Sequence, residues 1–299
     1  MKTSNIFLLI ALITFVGSFL SSTLFGKYVS QHDYDQNLAE SIKSLETHTY
    51  GHKTEIFDQP FDRILIVNSQ PNRRVYQDHD LYNRSDKYNE IRWIQSEKCG
   101  LKAPFSSDFI QHSSIENHTL IIHTNYPNKF AVGTIILYSP SLNQLAIEHN
   151  GTVRLANTVS DSLTVTATRS LFEIGGASSI DKLTIQASDQ SAVRVKVPYI
   201  GEARYTLSAN SIIRNEIDSC DAMYIHGDSG SHAAIVPYFE IDSPHPARNT
   251  YQYLRFNNEL GNIRIENTRI HRIVGNKARL NLNMSAQQIE QTLAALVDE

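Results

Sequence analysis

The four residues Gly227-Asp228-Ser229-Gly230 are the part of the sequence that most resembles a catalytic motif. They match the core of the nucleophile loop of trypsin-like proteases, where the serine needs a histidine base and a buried aspartate. Ser231 stands where that loop has its second glycine, and no histidine occurs in an Ala-Ala-His-Cys-like context. Because these residue types are also common in turns, the sequence favours a turn here over a nucleophile.

Histidine is frequent in this chain, with 12 residues, and five of them lie beside predicted turns: His149, His226, His232, His245 and His271. A metal site needs ligands that converge within about 2 Å of one ion, and the sequence contains no cluster of Cys and His residues. We therefore expect solvated histidines and predict neither a metal nor a cofactor.

Carboxylate pairs are a third candidate, because β-helical polysaccharide lyases and hydrolases use carboxylates from neighbouring coils as acid and base groups or as calcium ligands. Asp218 and Asp221 bracket Cys220, and Glu240 and Asp242 follow. These spacings are ordinary for turns, and neither a third carboxylate nor a basic residue recurs at the spacing of a coil. No catalytic residue is predicted, and an enzyme of this class remains an alternative.

Aromatic side chains could provide a flat face for sugars or protein, although packing in the core is expected for most of them. The candidates are Tyr126, Phe130, Tyr138, Tyr199, Tyr205, Tyr238, Phe239, Tyr251, Tyr253 and Phe256.

Composition excludes some partners and some frameworks. The 27 basic and 31 acidic residues are spread along the chain and give a net charge of −4, so nucleic acid is not an expected partner. Cys99 and Cys220 are the only cysteines in the sequence, and one pair cannot serve as a disulfide framework. They could pair with each other, but buried thiols are favoured.

The N-terminal segment Ile6–Phe25 carries no charge. As a helix it would reach about 30 Å, the thickness of a bilayer core, so residues 1–26 are predicted to be a transmembrane anchor that contacts the lipid bilayer through residues 6–25. A signal-like segment is the alternative. Both interpretations place the main domain outside the cytoplasm, in the periplasm or at the cell surface. Residues 27–54 are predicted to be a polar spacer, either unstructured or with a short amphipathic helix through Leu38, Ile42 and Leu45.

From residue 55 onward the apolar residues alternate with a period of two, which is typical of strands. Between about residues 142 and 284 a short apolar-x-apolar unit recurs. Leu163, Leu183, Tyr205 and Met223, taken as equivalent, follow one another at a nearly constant spacing close to twenty. Such a spacing, combined with short strands, is typical of a β-solenoid, in which each coil packs its apolar residues on the next.

The predicted fold class is therefore all-β, with a β-solenoid (single-stranded β-helix-like) domain over residues 55–284. A β-sandwich is the alternative, because it also has short alternating strands. Since the chain has only 13 glycines, Asn and Asp must form several corners, and Asn150-Gly151, Asp189, Asn210 and Asp218 are the candidates. Residues 285–299 are predicted to form a C-terminal capping helix, because Ser285 and Gln288 match a capping box.

The order of strands and turns resembles the bacterial DUF2807 family, described as auto-transporter adhesin head GIN domains. The similarity is carried by Phe61-Asp62-Arg63-Ile64-Leu65-Ile66, by Thr119-Leu120-Ile121-Ile122, and by residues 135–153 with their Pro140-Ser141-Leu142 step. It covers about residues 55–240, and the repeated Gly-Ser turns common in the family are absent. The resemblance implies a β-helical, non-cytoplasmic domain and supplies no catalytic residue.

These observations together predict a membrane-anchored envelope protein whose non-catalytic β-helical domain binds an envelope protein or glycan, with a structural or adhesive role. The alternatives are a carbohydrate-active β-helix enzyme of the polysaccharide lyase or hydrolase type, and a tethered sensor that acts through a partner. A groove lined by carboxylates and aromatics would favour the enzyme, and a smooth polar face would favour binding.

Overall fold

The computed structural model describes residues 52–68, 89–104, 113–124, 134–148, 152–156, 158–176, 178–238 and 249–297. Within these residues the chain is built mainly of strands, with an α-helix and a short 3-10 helix near the C-terminal end. The prediction of an all-β class is confirmed. The strands are β1 (His52–Phe57), β2 (Arg63–Asn68), β3 (Asn89–Gln95), β4 (Cys99–Pro104), β5 (Ser113–Glu116), β6 (Thr119–Thr124), β7 (Thr134–Ser139), β8 (Gln144–Glu148), β9 (Thr152–Ala156), β10 (Val159–Thr168), β11 (Leu171–Gly175), β12 (Ser179–Ser188), β13 (Ala192–Leu207), β14 (Ile212–Gly227), β15 (His232–Ile235), β16 (Thr250–Phe256), β17 (Asn262–Glu266), β18 (Arg269–Ile270), β19 (Ile273–Val274), β20 (Leu280–Asn283) and β21 (Leu296–Val297).

The strands pair in two long parallel ladders. Ladder A runs through β6, β2, β8, β10, β12, the second halves of β13 and β14, β16, and then β18 with β19, ending at β21. Ladder B runs through β7, β3, β9, β11, the first halves of β13 and β14, β15, β17 and β20. Antiparallel pairs occur at the start of each ladder, β5 with β6 and β1 with β4 with β7.

The repeat in the middle of ladder A is constant in length, because Leu163 pairs with Leu183, Leu183 with Ala203, and Ala203 with Met223. The equivalence of Tyr205 with Leu183, taken from the sequence, is wrong, since Tyr205 pairs with Ile185 and Ile225. The error shifts the register by two residues. Each side chain therefore stays on the same face of its strand. The apolar pattern therefore gave the correct face but not the register.

A single apolar cluster joins the two ladders. It contains residues of ladder A such as Ile64 and Leu163, and residues of ladder B such as Ile91 and Ile174. In β10 the buried positions are Leu163, Val165 and Ala167, and the residues between them are not buried. This alternation directs every second side chain of a strand into the shared core, where burial of each large aliphatic side chain contributes about 1.5–3 kcal/mol.

The corner that leads from ladder A into ladder B carries a fully buried serine in successive repeats: Ser170, Ser191, Ser211 and Ser231. The Ser170 N–H donates to the Ser191 Oγ at 3.1 Å, and the Ser211 N–H donates to the Ser231 Oγ at 3.3 Å. The Ser191 Oγ donates in turn to the Ser188 carbonyl at 2.6 Å. These hydrogen bonds satisfy buried backbone groups and tie one repeat to the next.

Residues other than glycine take left-handed backbone conformations at these corners. The predictions for Asp189 and Asn210 are confirmed, with φ of 55° and 61°. Asp218 does not take this conformation, since it lies inside β14 between the half that pairs in ladder B and the half that pairs in ladder A, where its carboxylate accepts the Asn249 N–H at 2.8 Å. The Asn150-Gly151 corner lies outside the described residues. Asp and Asn tolerate this conformation, which explains how the chain makes corners with little glycine.

The C-terminal helix α1 spans Ala286–Ala294 and begins with a capping box between Ser285 and Gln288. It is shorter than the predicted 285–299, because the chain then enters β21, which adds to ladder A. Thr292 is the buried residue of this helix, and α1 lies against β18.

The remaining predictions concern the cysteines and the N-terminus. Cys99 and Cys220 are both buried and unbonded, and burial raises the pKa of the Cys220 thiol to about 12. Among the residues that the structure describes, no helix is long and apolar enough to cross a bilayer. The predicted span Ile6–Phe25 and most of the spacer, residues 27–51, lie outside the described residues.

Candidate functional site

The outward positions of ladder A change character along the chain. Thr164, Thr184, Arg204, Tyr224 and Arg255 occupy one column, because each is paired in register with the next. The column begins with Arg63 and Gln144, continues with the two threonines in the middle strands, and has arginine and tyrosine on the later ones. Chemically distinctive side chains are therefore concentrated on one part of the ladder.

Four side chains on this later part of ladder A make a continuous stack that we call the Arg–Tyr row: Arg204 and Tyr224 from the column, with Tyr253 and Arg272 beside it. The Arg204 guanidinium lies 4.6 Å from the centre of the Tyr224 ring. The rings of Tyr224 and Tyr253 are 5.6 Å apart at an interplanar angle of 54°, and the Arg272 guanidinium lies 5.9 Å from the Tyr253 ring. A cation thus ends the row on both sides, in contact geometry typical of cation–π interactions.

The two cations of the row keep most of their hydrogen-bonding capacity. Arg204 Nε donates to Glu202 Oε1 at 2.6 Å, and this bond lowers the pKa of the Glu202 carboxyl. In the part of the chain that the structure describes, the terminal nitrogens of Arg204 have no protein partner, and Arg272 has no ion pair. Guanidinium groups in this state can bind carboxylate, sulfate or phosphate oxygens.

A shallow groove of about 470 Å³ lies beside the row on the same face. Among the described residues that line it are two arginines and a histidine, and none of them is a carboxylate. They are Arg204, Tyr205, Thr206, Tyr224, Ile225, His226, Arg255, Phe256, Asn257 and Asn258. The groove thus presents arginine side chains on a chain whose net charge is −4, and one of them, Arg204, is paired through Nε with Glu202.

The outward face of ladder B carries charges of both signs, which pair with one another in what we call the Arg–Glu network. The Glu173 carboxylate lies 3.1 Å from Arg154 Nε and 3.4 Å from Arg194 Nη1. Arg194 makes a bidentate pair with Glu216, with both hydrogen bonds at 2.9 Å, and Arg214 Nε reaches the same carboxylate at 2.7 Å. This network crosses four neighbouring strands, β9, β11, β13 and β14.

The two glutamates of the network are almost inaccessible to water, with side chains only 5% and 6% exposed. Burial opposes ionisation of Glu216, but hydrogen bonds from Arg194 and Arg214 outweigh it, so the pKa of this carboxyl lies below its ordinary value. The arginines here use their charge to hold glutamates. Ladder B is therefore suited to stability, and ladder A offers accessible guanidinium nitrogens to a ligand.

The Gly227-Asp228-Ser229-Gly230 segment makes the hydrogen bonds of a turn. The Asp228 carboxylate accepts from Ser231 Oγ at 2.7 Å and from the Gly230 and Ala209 N–H groups at 3.2 and 2.6 Å. These bonds, the one from Ser231 foremost, lower the pKa of Asp228. Ser229 is exposed. The aspartate thus fixes the corner between two repeats.

The predicted histidine and carboxylate candidates do not converge. His226, His232 and His271 are exposed, and His149 and His245 lie outside the described residues. Within the described ranges no group of three or more His, Cys, Asp or Glu side chains is placed to hold a metal.

Of the carboxylate pairs, Asp218 binds the Asn249 backbone, and Asp221 accepts the Tyr199 hydroxyl at 2.8 Å. The hydrogen bond to Asp221 raises the pKa of Tyr199. Glu240 and Asp242 lie outside the described residues.

The aromatic candidates divide between core and surface. Tyr205, Tyr238, Tyr251 and Phe256 are buried. Tyr253 belongs to the Arg–Tyr row, and Tyr138 and Tyr199 are partly accessible. The remaining candidates, Tyr126, Phe130 and Phe239, lie outside the described residues.

Sequence reasoning missed Tyr224, Arg204 and the Arg–Glu network, although a signal was present. Each of these residues occupies the middle of an apolar-x-apolar unit or flanks one, as in Met223-Tyr224-Ile225 and Val193-Arg194-Val195. The middle residue of such a unit faces outward, so the identities of these residues indicate the chemistry of the outer faces.

Comparison with protein-family models gives no match, and comparison with curated protein sequences gives none either. Among solved structures, the chain is similar to a "putative adhesin" from Bacteroides fragilis, with 12% identity, a TM-score of 0.42 and coverage of 83% of this chain and 94% of that one. A "putative adhesin" from Parabacteroides merdae has 14% identity, a TM-score of 0.40 and coverage of 79% and 97%. A "putative lipid binding protein" from Parabacteroides distasonis has 10% identity, a TM-score of 0.37 and coverage of 84% and 95%.

Proposed function

We propose that this chain is a membrane-anchored envelope protein whose β-solenoid binds a glycan or protein of the envelope through the outward face of ladder A, without catalysing a reaction. The anchor is residues 6–25, and the domain from residue 55 onward is non-cytoplasmic, in the periplasm or at the cell surface. In this proposal the chain is a distant relative of the DUF2807 adhesin-like domains.

The observation that carries the binding function is the Arg–Tyr row. Arginine and tyrosine are the residue types enriched at binding surfaces, and here four of them stack on consecutive strands. The arginines of the Arg–Glu network on the other ladder are instead bound to glutamates. A backbone held by parallel ladder hydrogen bonds also keeps the side chains of the row pre-organised, which lowers the entropic cost of binding.

The solenoid interpretation is supported by the parallel pairing of strands from successive repeats in ladder A. Sandwich strands pair mainly in antiparallel fashion. Each repeat supplies one strand to each ladder and cannot enclose a core alone, which is the property expected of solenoid repeats.

The binding function is tested with the full-length chain reconstituted in lipid nanodiscs and applied to immobilised cell-envelope polysaccharide. The wild-type chain is expected to be retained, and the double variant Tyr224→Ala/Tyr253→Ala to elute. The matched control is Thr164→Ala/Thr184→Ala, which changes the same face on earlier strands. Equal retention of the tyrosine variant, or turnover of the polysaccharide by the wild-type chain, would contradict the proposal.

The proposed location is tested separately in cells that express the full-length chain with a C-terminal epitope. We expect the epitope in the membrane fraction, and we expect protease to remove it once the outer envelope is permeabilised while the inner membrane stays intact. An epitope that is released in a soluble fraction, or that resists protease until the inner membrane is opened, would refute the anchored, non-cytoplasmic arrangement.

A further inference from the structure

We propose that the Arg–Tyr row and its adjacent groove bind an acidic polysaccharide, a polymer that carries carboxylate or sulfate groups and lies across the strands of ladder A. Two of its acidic groups bind Arg204 and Arg272. This inference rests on the proposed binding function and assigns the class of ligand.

The positions of the two arginines on the tyrosine rings favour binding of acidic groups. The Arg204 guanidinium lies over the Tyr224 ring at 4.6 Å and the Arg272 guanidinium over the Tyr253 ring at 5.9 Å, so each side chain is held against an aromatic face. A stacked guanidinium still directs its N–H groups outward in its own plane, so it can bind an acidic group with two parallel hydrogen bonds. In Arg204 the Nε is committed to Glu202, which leaves the terminal nitrogens for the ligand.

The distance between Arg204 and Arg272 favours a polymer over a single acidic group. Arg204 lies on β13 and Arg272 immediately precedes β19, and the strands between them in ladder A are β14 and β16. Three strand spacings of about 4.8 Å, with an offset of two residues along the strand because Arg272 is level with Glu202, place the two positions roughly 16 Å apart. One carboxylate, sulfate or phosphate cannot contact both arginines. A polymer with repeated acidic groups can, and for this reason we favour it over a single lipid headgroup.

The other residues that line the groove also suit an acidic sugar. No carboxylate is found among the described residues that line the groove, and the nearby Glu202 is neutralised by its ion pair with Arg204, so an acidic chain meets less repulsion here than elsewhere on a protein of net charge −4. His226 is exposed there, and the hydroxyls of Thr206 and Tyr224 are groups that can bind sugar hydroxyls. The surface thus combines cations with neutral hydrogen-bonding groups, as an acidic sugar requires.

The basic character is local, which separates this proposal from nucleic-acid binding. Basic residues on the other ladder are held by glutamates in the Arg–Glu network. A protein that follows a nucleic-acid backbone needs a continuous basic stripe, and the three arginines at this site, Arg204, Arg255 and Arg272, do not provide it.

The test measures binding of the full-length chain in nanodiscs to polygalacturonate, dextran sulfate, neutral dextran, monomeric galacturonate and single-stranded DNA. We expect binding to polygalacturonate or dextran sulfate and at least tenfold weaker binding to the other three probes. Arg204→Ala and Arg272→Ala should each weaken binding about tenfold, and together by more than either alone.

Arg63→Ala is the matched control, because Arg63 occupies the same column as Arg204 through Gln144, Thr164 and Thr184. It should change affinity less than about twofold. Arg204→Lys keeps the charge but not the planar fork and should still lose affinity. The melting temperature of each variant establishes that the loss is not unfolding.

Three results would overturn the inference: unchanged binding in Arg204→Ala/Arg272→Ala, equal affinity for neutral dextran, or equal affinity for monomeric galacturonate. Preference for DNA would overturn it as well. If no acidic polymer binds while the tyrosine variant still loses retention on envelope polysaccharide, the ligand class is wrong and the binding function stands. If both experiments fail, both proposals fail.

Discussion

The outward faces of the two ladders use the same residue type in opposite ways. On ladder B, Arg154, Arg194 and Arg214 are bound to the nearly buried Glu173 and Glu216. On ladder A, Arg204 and Arg272 stack on tyrosines, and most of their hydrogen-bonding groups face solvent. Charge content alone therefore does not identify a binding face. What matters is whether neighbouring strands already supply the opposite charge.

We expect the largest loss in the free energy of unfolding when Arg194, the central arginine of the Arg–Glu network, is removed. Arg194→Ala leaves two nearly buried carboxylates with fewer partners, and we expect it to lower the free energy of unfolding by about 3 kcal/mol. Arg204→Ala removes an exposed pair, whose side chains are 57% and 34% accessible, and should lower the free energy of unfolding far less than Arg194→Ala does. Denaturant unfolding of the two variants measures both values. Equal losses would mean that the two faces do not differ as described.

Loss of a buried serine at the corners between the two ladders is expected to have an intermediate effect on the free energy of unfolding. Ser191→Ala removes the acceptor of the buried Ser170 N–H and should destabilise the protein by about 1–3 kcal/mol. Ser188→Ala, which removes a 3.4 Å hydrogen bond to Thr168 on the outward face of ladder A, is the control and should cost less than about 0.5 kcal/mol. Thermal unfolding compares them, and a neutral Ser191→Ala would show that the corner bonds do not tie the repeats together.

Lowering the pH should destabilise the protein more through Glu216 on ladder B than through Glu202 on ladder A. The pKa of Glu216 is below its ordinary value of 4.5 in the folded protein. Its contribution to stability is therefore complete above that value and is lost as the pH falls through the lower folded pKa. Unfolding midpoints between about pH 6 and pH 3 should fall less steeply in Glu216→Gln than in the wild type. Glu202→Gln should follow the wild type more closely, because its pair with Arg204 is exposed and screened by solvent. A wild-type acid profile in Glu216→Gln would contradict the role of the network.

The smallest expected effect is on the stability of the Arg–Tyr row itself. Tyr224→Ala/Tyr253→Ala removes ring contacts on an accessible face and should lower the free energy of unfolding by about 1–2 kcal/mol. This is less than the loss from Arg194→Ala alone, although the tyrosine variant changes two large residues. Urea unfolding checks it, and a loss above about 3 kcal/mol would place the tyrosines among the structural residues.

The sequence allowed the class of fold and many local features to be predicted, because these depend on neighbours along the chain. Strand positions follow from alternation, the corners at Asp189 and Asn210 from their residue types, and the start of α1 from Ser285 and Gln288. Register depends on contacts between repeats. The large Tyr205 was therefore taken as the partner of Leu183, although the small Ala203 holds that position.

The candidate site was harder to predict for the same reason. Tyr224 and Tyr253 lie in different repeats, and Arg204 and Arg272 are farther apart still along the chain. They form one row only because the ladder aligns their strands. The same holds for Arg154, Glu173 and Arg194. These residues are far apart in the sequence, and only the strand register places them side by side.

The Arg–Tyr row exists only if the strands of ladder A have the register described above, and cysteine cross-linking measures that register. In the variant Thr184→Cys/Arg204→Cys the two positions are directly paired, about 4.8 Å apart between strands, and a short thiol-bridging reagent should link them. In Thr184→Cys/Thr206→Cys the offset along the strand increases the separation to about 8 Å, and little product is expected. Cys99 and Cys220 are buried and should not react. Preferential linking of Thr184→Cys to Thr206→Cys would contradict this register and with it the Arg–Tyr row.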